Sequence, residues 1–133
     1  MRRYMLDTNT VSQLVREELG VIRHVARHPT AAIVVSSISV GELMFGLAKR
    51  GYGTRWSIAT EEFLRCVEVA SWDEFTARRY GDLRAELERR GTPLSALDTQ
   101  IAAHALARDM VLVTSDVAFC KVPGLRVEDW SHG

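Results

Sequence analysis

The sequence predicts a three-layer α/β/α sandwich with a central, mainly parallel sheet. Three observations carry that expectation. Short runs rich in β-branched residues alternate with longer segments whose apolar residues recur at helical spacing, the pattern of parallel α/β domains. The run Met110-Val111-Leu112-Val113 is apolar at every position, as a strand buried on both faces requires. With 133 residues, 47% hydrophobic and 26% charged, the chain suffices for one domain with a real core, so residues 1–133 are read as a single unit.

The elements follow in order. Arg3 to Leu6 suits a buried strand that ends at Asp7. Val11, Leu14 and Val15 mark a first helix, and Leu19, Ile22 and Val25 a second, with Gly20 near their boundary. Pro29 precedes Ala31 to Val35, a β-branched run that reads as the next strand. Ser39-Val40-Gly41-Glu42 opens a helix carrying Leu43, Leu47 and Ala48 on its apolar stripe, and Gly51-Tyr52-Gly53 breaks it. Ile58, Phe63, Leu64 and Val67 suggest another helix, with Val67 to Val69 as a possible short strand. Phe75, Tyr80, Leu83 and Leu87 define a long amphipathic helix ending at Gly91, before Pro93. Ser95 to Arg108 is the next helix, Met110 to Val113 a strand, and Leu125 to Val127 a last strand after the Pro123-Gly124 turn, with Trp130 packing near the end.

Composition narrows the class. The longest apolar runs are far too short to cross a bilayer, and Met1-Arg2-Arg3-Tyr4 leads straight into a strand with no signal-like apolar region, so a cytoplasmic location without membrane contact is expected. Cys66 and Cys120 form no CxxC pair and read as small, partly buried hydrophobes in a reducing compartment; no Cys or His spacing fits a zinc site. Net charge is zero, from 17 cations and 17 acids. Fifteen of the cations are arginine, the better residue for forked phosphate contacts.

Asp7, Glu42, Asp98 and Asp116 each fall where an apolar strand ends or a helix begins. In a parallel fold such positions gather at the carboxyl edge of the sheet, where open sheets bind ligands. Clustered carboxylates repel one another, and a hard divalent cation relieves them. Each acid also has a local rival reading. Asp7 or Asn9 can cap the following helix, Ser39-x-x-Glu42 matches a capping box, Ser95-x-x-Asp98 approximates one, and Asp116 can be a turn residue beside the Thr114 and Ser115 hydroxyls. Joint placement at four boundaries favours a metal-dependent phosphoryl-transfer site.

Order and spacing along nearly the whole chain make it resemble the PIN-domain ribonucleases, and specifically VapC-type toxins of bacterial toxin–antitoxin pairs. The residues that carry the likeness are Met5-Leu6-Asp7-Thr8-Asn9-Thr10-Val11-Ser12, Ser36 to Leu43, Arg84 to Leu87, Gly91-Thr92-Pro93, Asp98 to Ala105, Val113-Thr114-Ser115-Asp116 and Val122 to Trp130. The resemblance implies that Asp7, Glu42, Asp98 and Asp116 bind Mg2+ or Mn2+ and are catalytic. Asn9, Thr114 and Ser115 would support them, RNA would be the substrate, and a homodimer would be held by a VapB-like antitoxin. Ser115 stands where members often carry Asn, and no further acid lies near Ala118.

Two other readings were weighed. A catalytically silent PIN-like binding module is motivated by the missing acid near Ala118. A haloacid-dehalogenase-like phosphatase would use Asp7 as nucleophile, but Asn9 replaces its second Asp. For RNA contacts, Arg78, Arg79, Arg84, Arg89 and Arg90 crowd one helix among alternating acids, which reads first as a salt-bridged face. Tyr52, Trp56 and Trp72 are candidates for stacking on bases, with ordinary packing as the simpler role. His104, on an apolar stripe, reads as a satisfied core histidine.

Overall fold

Tyr4, Met5 and Leu6 form a strand only three residues long, yet it is the centre of the sheet. In the computed structural model, which describes residues 1–132, β1 (Tyr4–Leu6) is followed by α1 (Thr8–Val15) and α2 (Leu19–Ala26). Then come β2 (Ile33–Ser36), α3 (Ser37–Arg50), α4 (Arg55–Cys66), β3 (Glu68–Ala70) and α5 (Glu74–Arg89). The remaining elements are α6 (Ala96–Ala107), β4 (Val111–Val113) and β5 (Val127–Glu128). The strand order is β3-β2-β1-β4-β5 and every pairing is parallel, with Met5 opposite Val34 on one side and Leu112 on the other.

Alternation along the strands sorts the core into two layers. Met5, Val34 and Leu112 face Leu83 and Leu87 of α5 and Ile101, Ala102 and Ala105 of α6. Tyr4, Leu6, Ile33, Val35, Val111 and Val113 face Val11 of α1 and Leu43 of α3, with Phe63 and Leu64 of α4 packed alongside. The sandwich and its parallel sheet match the expectation from sequence. Differences are local. Thr30–Ala32 form a 3-10 turn, so β2 starts at Ile33 and reaches Ser36, and β5 lies at Val127–Glu128 rather than Leu125 to Val127. Both cysteines are exposed, not partly buried. Among the described residues no helix is long and apolar enough to cross a membrane.

Two internal ties shape the molecule. The carboxyl-terminal tail lies on α2: Trp130 is buried, stacks on His24 and His28 with ring planes 12° and 7° apart, and donates its indole N–H to Glu128 at 2.9 Å. Gly20 makes that seat possible, because a Cβ there would lie 2.5 Å from the Ser131 carbonyl oxygen. The second tie is deeper. His104 of α6 is wholly buried, with Nδ1 2.8 Å from the Ser36 hydroxyl, which also accepts the Ile38 amide and so caps α3. The other ring nitrogen has no hydrogen-bond partner, although the Ser71 backbone lies near it, so this histidine is only half satisfied. Burial and the nearby Arg108 charge depress its proton affinity, partly offset by Asp73.

Two outcomes follow. Gly20→Ala is expected to destabilise the fold by about 1–3 kcal/mol through overpacking, whereas Gly41→Ala, where a Cβ meets nothing within 4 Å, should stabilise it by about 0.5–1 kcal/mol; denaturant melts read both. His104 holds fewer protons folded than unfolded, so its contribution is full above the ordinary imidazole value of about 6.5 and falls as pH drops below it. Melts between pH 7.5 and 5.5 should show that slope, and His104→Gln should flatten it; Glu68 and Asp73, whose affinities are lowered, titrate further down.

Candidate active site

The order of the sheet reverses beside β1: the chain passes from β1 to β2 and β3 on one flank, then fills the other with β4 and β5. Such a reversal leaves a crevice at the carboxyl ends of the two strands that straddle it, here β1 and β4. Asp7 directly follows β1, and Asp116 lies three residues past β4. Glu42 from α3 and Asp98 from the first turn of α6 complete a cleft of about 140 Å3, which Thr8, Asn9, Leu97, Ile101 and Phe119 also line.

Each acid is placed by a specific local device. Asp7 is 8% exposed; its Oδ1 accepts the Thr10 amide at 2.8 Å, and its own amide donates to the Val113 carbonyl at 3.1 Å. The Thr10 hydroxyl donates to that same carbonyl at 3.1 Å, tying the start of α1 to the end of β4. Ser95 caps α6 by accepting the Asp98 amide at 3.1 Å, which sets Asp98 on the inward side of the first turn. Asp116 accepts the Ala118 amide at 2.9 Å and caps the 3-10 turn Val117–Lys121, while its amide donates to the Thr114 hydroxyl.

Glu42 differs. Ser36, not Ser39, caps α3, and the helix begins at Ser37, so Glu42 sits in the second turn and takes no part in capping. Its carboxylate is left to the cleft. The capping and cleft readings thus separate for Glu42 and for Asp98, whose helix is capped by Ser95; Asp7 and Asp116 do both at once, each engaging one oxygen with the backbone.

Electrostatics record the crowding. Burial raises the proton affinity of the Asp98 carboxyl above the usual range; a hydrogen bond with Ser95 offsets part of this, and the negative charges of Asp116 and Asp7 add to the rise. The four acids nevertheless do not form a closed cage: among the described residues no three Asp, Glu, His or Cys side chains stand close enough to share one ion. Of the supporting residues expected from sequence, Asn9 lines the cleft, Thr114 works through the Asp116 turn, and exposed Ser115 does not border it. Thr10 and Phe119 were not anticipated. Thr10 was legible in principle, three residues beyond a capping Asp; Phe119 is brought in only by the 3-10 turn.

Known proteins resemble this chain over nearly its full length. The PIN domain family model matches residues 4–125. The tRNA(fMet)-specific endonuclease VapC of Salmonella typhimurium is 37% identical over 131 residues, 98% of this chain and 99% of the relative. A crystal structure of DNA-bound VapBC from Salmonella typhimurium superposes with a TM-score of 0.86 at 37% identity, covering 98% of this chain and 99% of that one. VapBC2 from Rickettsia felis, bound to a DNA fragment from its promoter, superposes with a TM-score of 0.86 at 30% identity, covering 96% and 98%. The family match over residues 4–125 and the end-to-end likeness to VapC proteins, on a parallel sheet whose strand order reverses beside β1, place this chain in the PIN domain family.

Proposed function

We propose that this protein is a metal-dependent endoribonuclease acting as the toxin of a VapBC-type pair, with Asp7, Glu42, Asp98 and Asp116 as its catalytic acids. The observation that carries the reading is the convergence of four carboxylates, from four distant segments, on one cleft beside the β1/β4 crevice. The curated relative in Salmonella typhimurium is named for cleavage of tRNA(fMet), which supports structured RNA, tRNA included, as the substrate class. The VapBC complexes support a VapB-like antitoxin as partner. A cytoplasmic homodimer is part of the same proposal.

The residues fit a hard divalent cation, Mg2+ or Mn2+. Every ionisable donor in the cleft is a carboxylate, and Asp98, held above the usual carboxyl range first by burial and then by the Asp116 and Asp7 charges, is a group whose ionised form a cation would favour. Mg2+ keeps several waters and takes one or two carboxylates directly, so it does not require three acids converging on one point, which the described residues do not provide. Asp7 and Asp98 would hold it, with Asp116 and Glu42 completing the site directly or through water. When bound, the ion supplies positive charge that acidifies water and offsets charge developing on a phosphodiester.

The chain's own contribution is placement. The Thr10 amide pins one oxygen of Asp7 and leaves the other for the cleft, and the Ala118 amide does the same for Asp116. Because Thr10 and Asp7 both bond the Val113 carbonyl, the two strand ends that carry these acids move together. Leu97, Ile101 and Phe119 form an apolar wall that keeps bulk water from one side of the cleft, strengthening its electrostatics. In the reaction a water oxygen bonds to phosphorus, the bond to the leaving ribose oxygen breaks, and a cleft carboxylate accepts the water's proton.

Asp98→Asn is expected to lower RNA cleavage at least about a hundredfold in Mg2+. Because it removes a charge crowded by Asp116 and Asp7, it should also raise the melting temperature of the metal-free protein. Cleavage products are read on gels and by 5′-end sequencing, and Mn2+ binding by calorimetry. Full activity in Asp98→Asn would sink the acidic-site assignment; arrest of bacterial growth by both the variant and the unaltered chain would point to a binding module instead.

A further inference from the structure

The acidic cleft does not end at Glu42. A second hollow, of about 200 Å3, opens between α1, α3 and α4 and shares Thr8, Asn9 and Glu42 with it. Its two long walls are ladders at helical spacing: Thr8, Ser12 and Arg16 along α1, and Glu42, Gly46 and Arg50 along α3. At 1.5 Å per residue, each arginine stands about 12 Å beyond the residue bordering the cleft. Trp56 of α4 lines the hollow as well, half-buried, with the Arg55 guanidinium 4.6 Å over its indole. Along this track the surface passes from acidic to basic.

The floor is open where folding gives no reason for it to be. Gly46 lies inside α3, where alanine would favour the helix, and a Cβ there would meet no atom of the chain within 4 Å. The cations are available too. Arg50 makes no ion pair among the described residues, and the Arg16–Glu18 contact at 3.3 Å is exposed and weak enough to exchange for a phosphate. On α5 and its C-cap, Arg78, Arg84 and Arg90 are each engaged by an acid one turn away, while Arg79 and Arg89 make no ion pair among the described residues but do not border this hollow.

We propose that this hollow is the subsite for nucleotides flanking the scissile bond of a single-stranded RNA segment. Arg50 and Arg16 bind successive phosphates, Trp56 stacks a base, and Gly46 lets the sugar–phosphate backbone approach α3. The proposal rests on the ribonuclease reading and says where its substrate lies. A polyanion is favoured over a peptide because a cleft of four carboxylates repels RNA unless cations flank it. On a chain of zero net charge that compensation must be local.

The test measures binding apart from cleavage, using full-length protein carrying Asp98→Asn, a fluorescein-labelled 12-nucleotide single-stranded RNA, and anisotropy at several salt concentrations in Mg2+. Arg50→Ala is expected to weaken binding about three- to tenfold and to reduce the salt slope by roughly 0.7. Trp56→Ala should weaken it about tenfold with the slope unchanged, and Trp56→Phe should recover most of the loss. Gly46→Leu should weaken binding while the melting temperature holds or rises, which keeps the test decisive if Trp56→Ala folds poorly. Unchanged RNA affinity in Gly46→Leu and Arg50→Ala overturns the subsite and leaves the hollow to a protein ligand. If the Asp98-intact protein cleaves no RNA while these variants still lose affinity, the subsite stands and the nuclease reading fails.

Discussion

β1 is buried on both faces, and everything else in the molecule accommodates that. A buried three-residue strand must have its backbone groups bonded by neighbours on each side and its side chains covered above and below. β2 and β4 meet the first demand and the two helical layers the second. Neither layer has room for a charge, so the first polar side chain after Leu6 emerges at the sheet edge, as Asp7. Past β4, Thr114 stays buried and Asp116 reaches the same edge in the turn two residues later. The three central strands carry no carboxylate; Glu68 and Glu128 lie on the two edge strands.

That concentration works against the fold. Asp98 holds its proton more tightly than a free carboxyl because it is partly desolvated and faces Asp116 and Asp7. Backbone amides soften the cost at Asp7 and Asp116, each of which caps the turn that follows it. At these positions capping and function are served by opposite oxygens of one carboxylate. A site built this way needs little dedicated scaffolding, since the devices that start its helices also aim its acids.

The fold class was legible because the strands are apolar at every position and the helices periodic, and these patterns reflect burial on two faces or one. The boundaries were not. Ala31 and Ala32 look like strand yet form a 3-10 turn, and Ser36, just past the expected strand, is both the last residue of β2 and the cap of α3. With Ser39 read as the opening of that helix, one turn late, Glu42 looks like half of a capping box. That Asp7, Asp98 and Asp116 share a cleft was legible from their positions at element boundaries, whereas Glu42 joins them from the second turn of α3. How closely the acids approach was not legible, because spacing across strands depends on tilt and side-chain rotamers that one sequence does not encode. Arginine on α5 drew attention for its density, whereas Arg16 and Arg50 become neighbours only once α1 and α3 pack together.

Charge distribution then decides how the proposed site can work. A chain with zero net charge gains nothing from long-range attraction to a polyanion, and its cleft alone repels one. A bound cation reverses the local field, so on the proposed reading metal and RNA each improve the other's binding by the same factor, as linkage requires. On the same proposal, the basic track beyond Glu42 adds a contribution independent of metal, holding the strand by phosphates that do not react. The proposal thus divides the labour, with affinity assigned to the arginine and tryptophan positions of α1, α3 and α4 and turnover to the acids of the cleft. An antitoxin segment that covered only the track would therefore weaken RNA binding without touching the chemistry, whereas one that placed a cation in the cleft would compete with the metal itself.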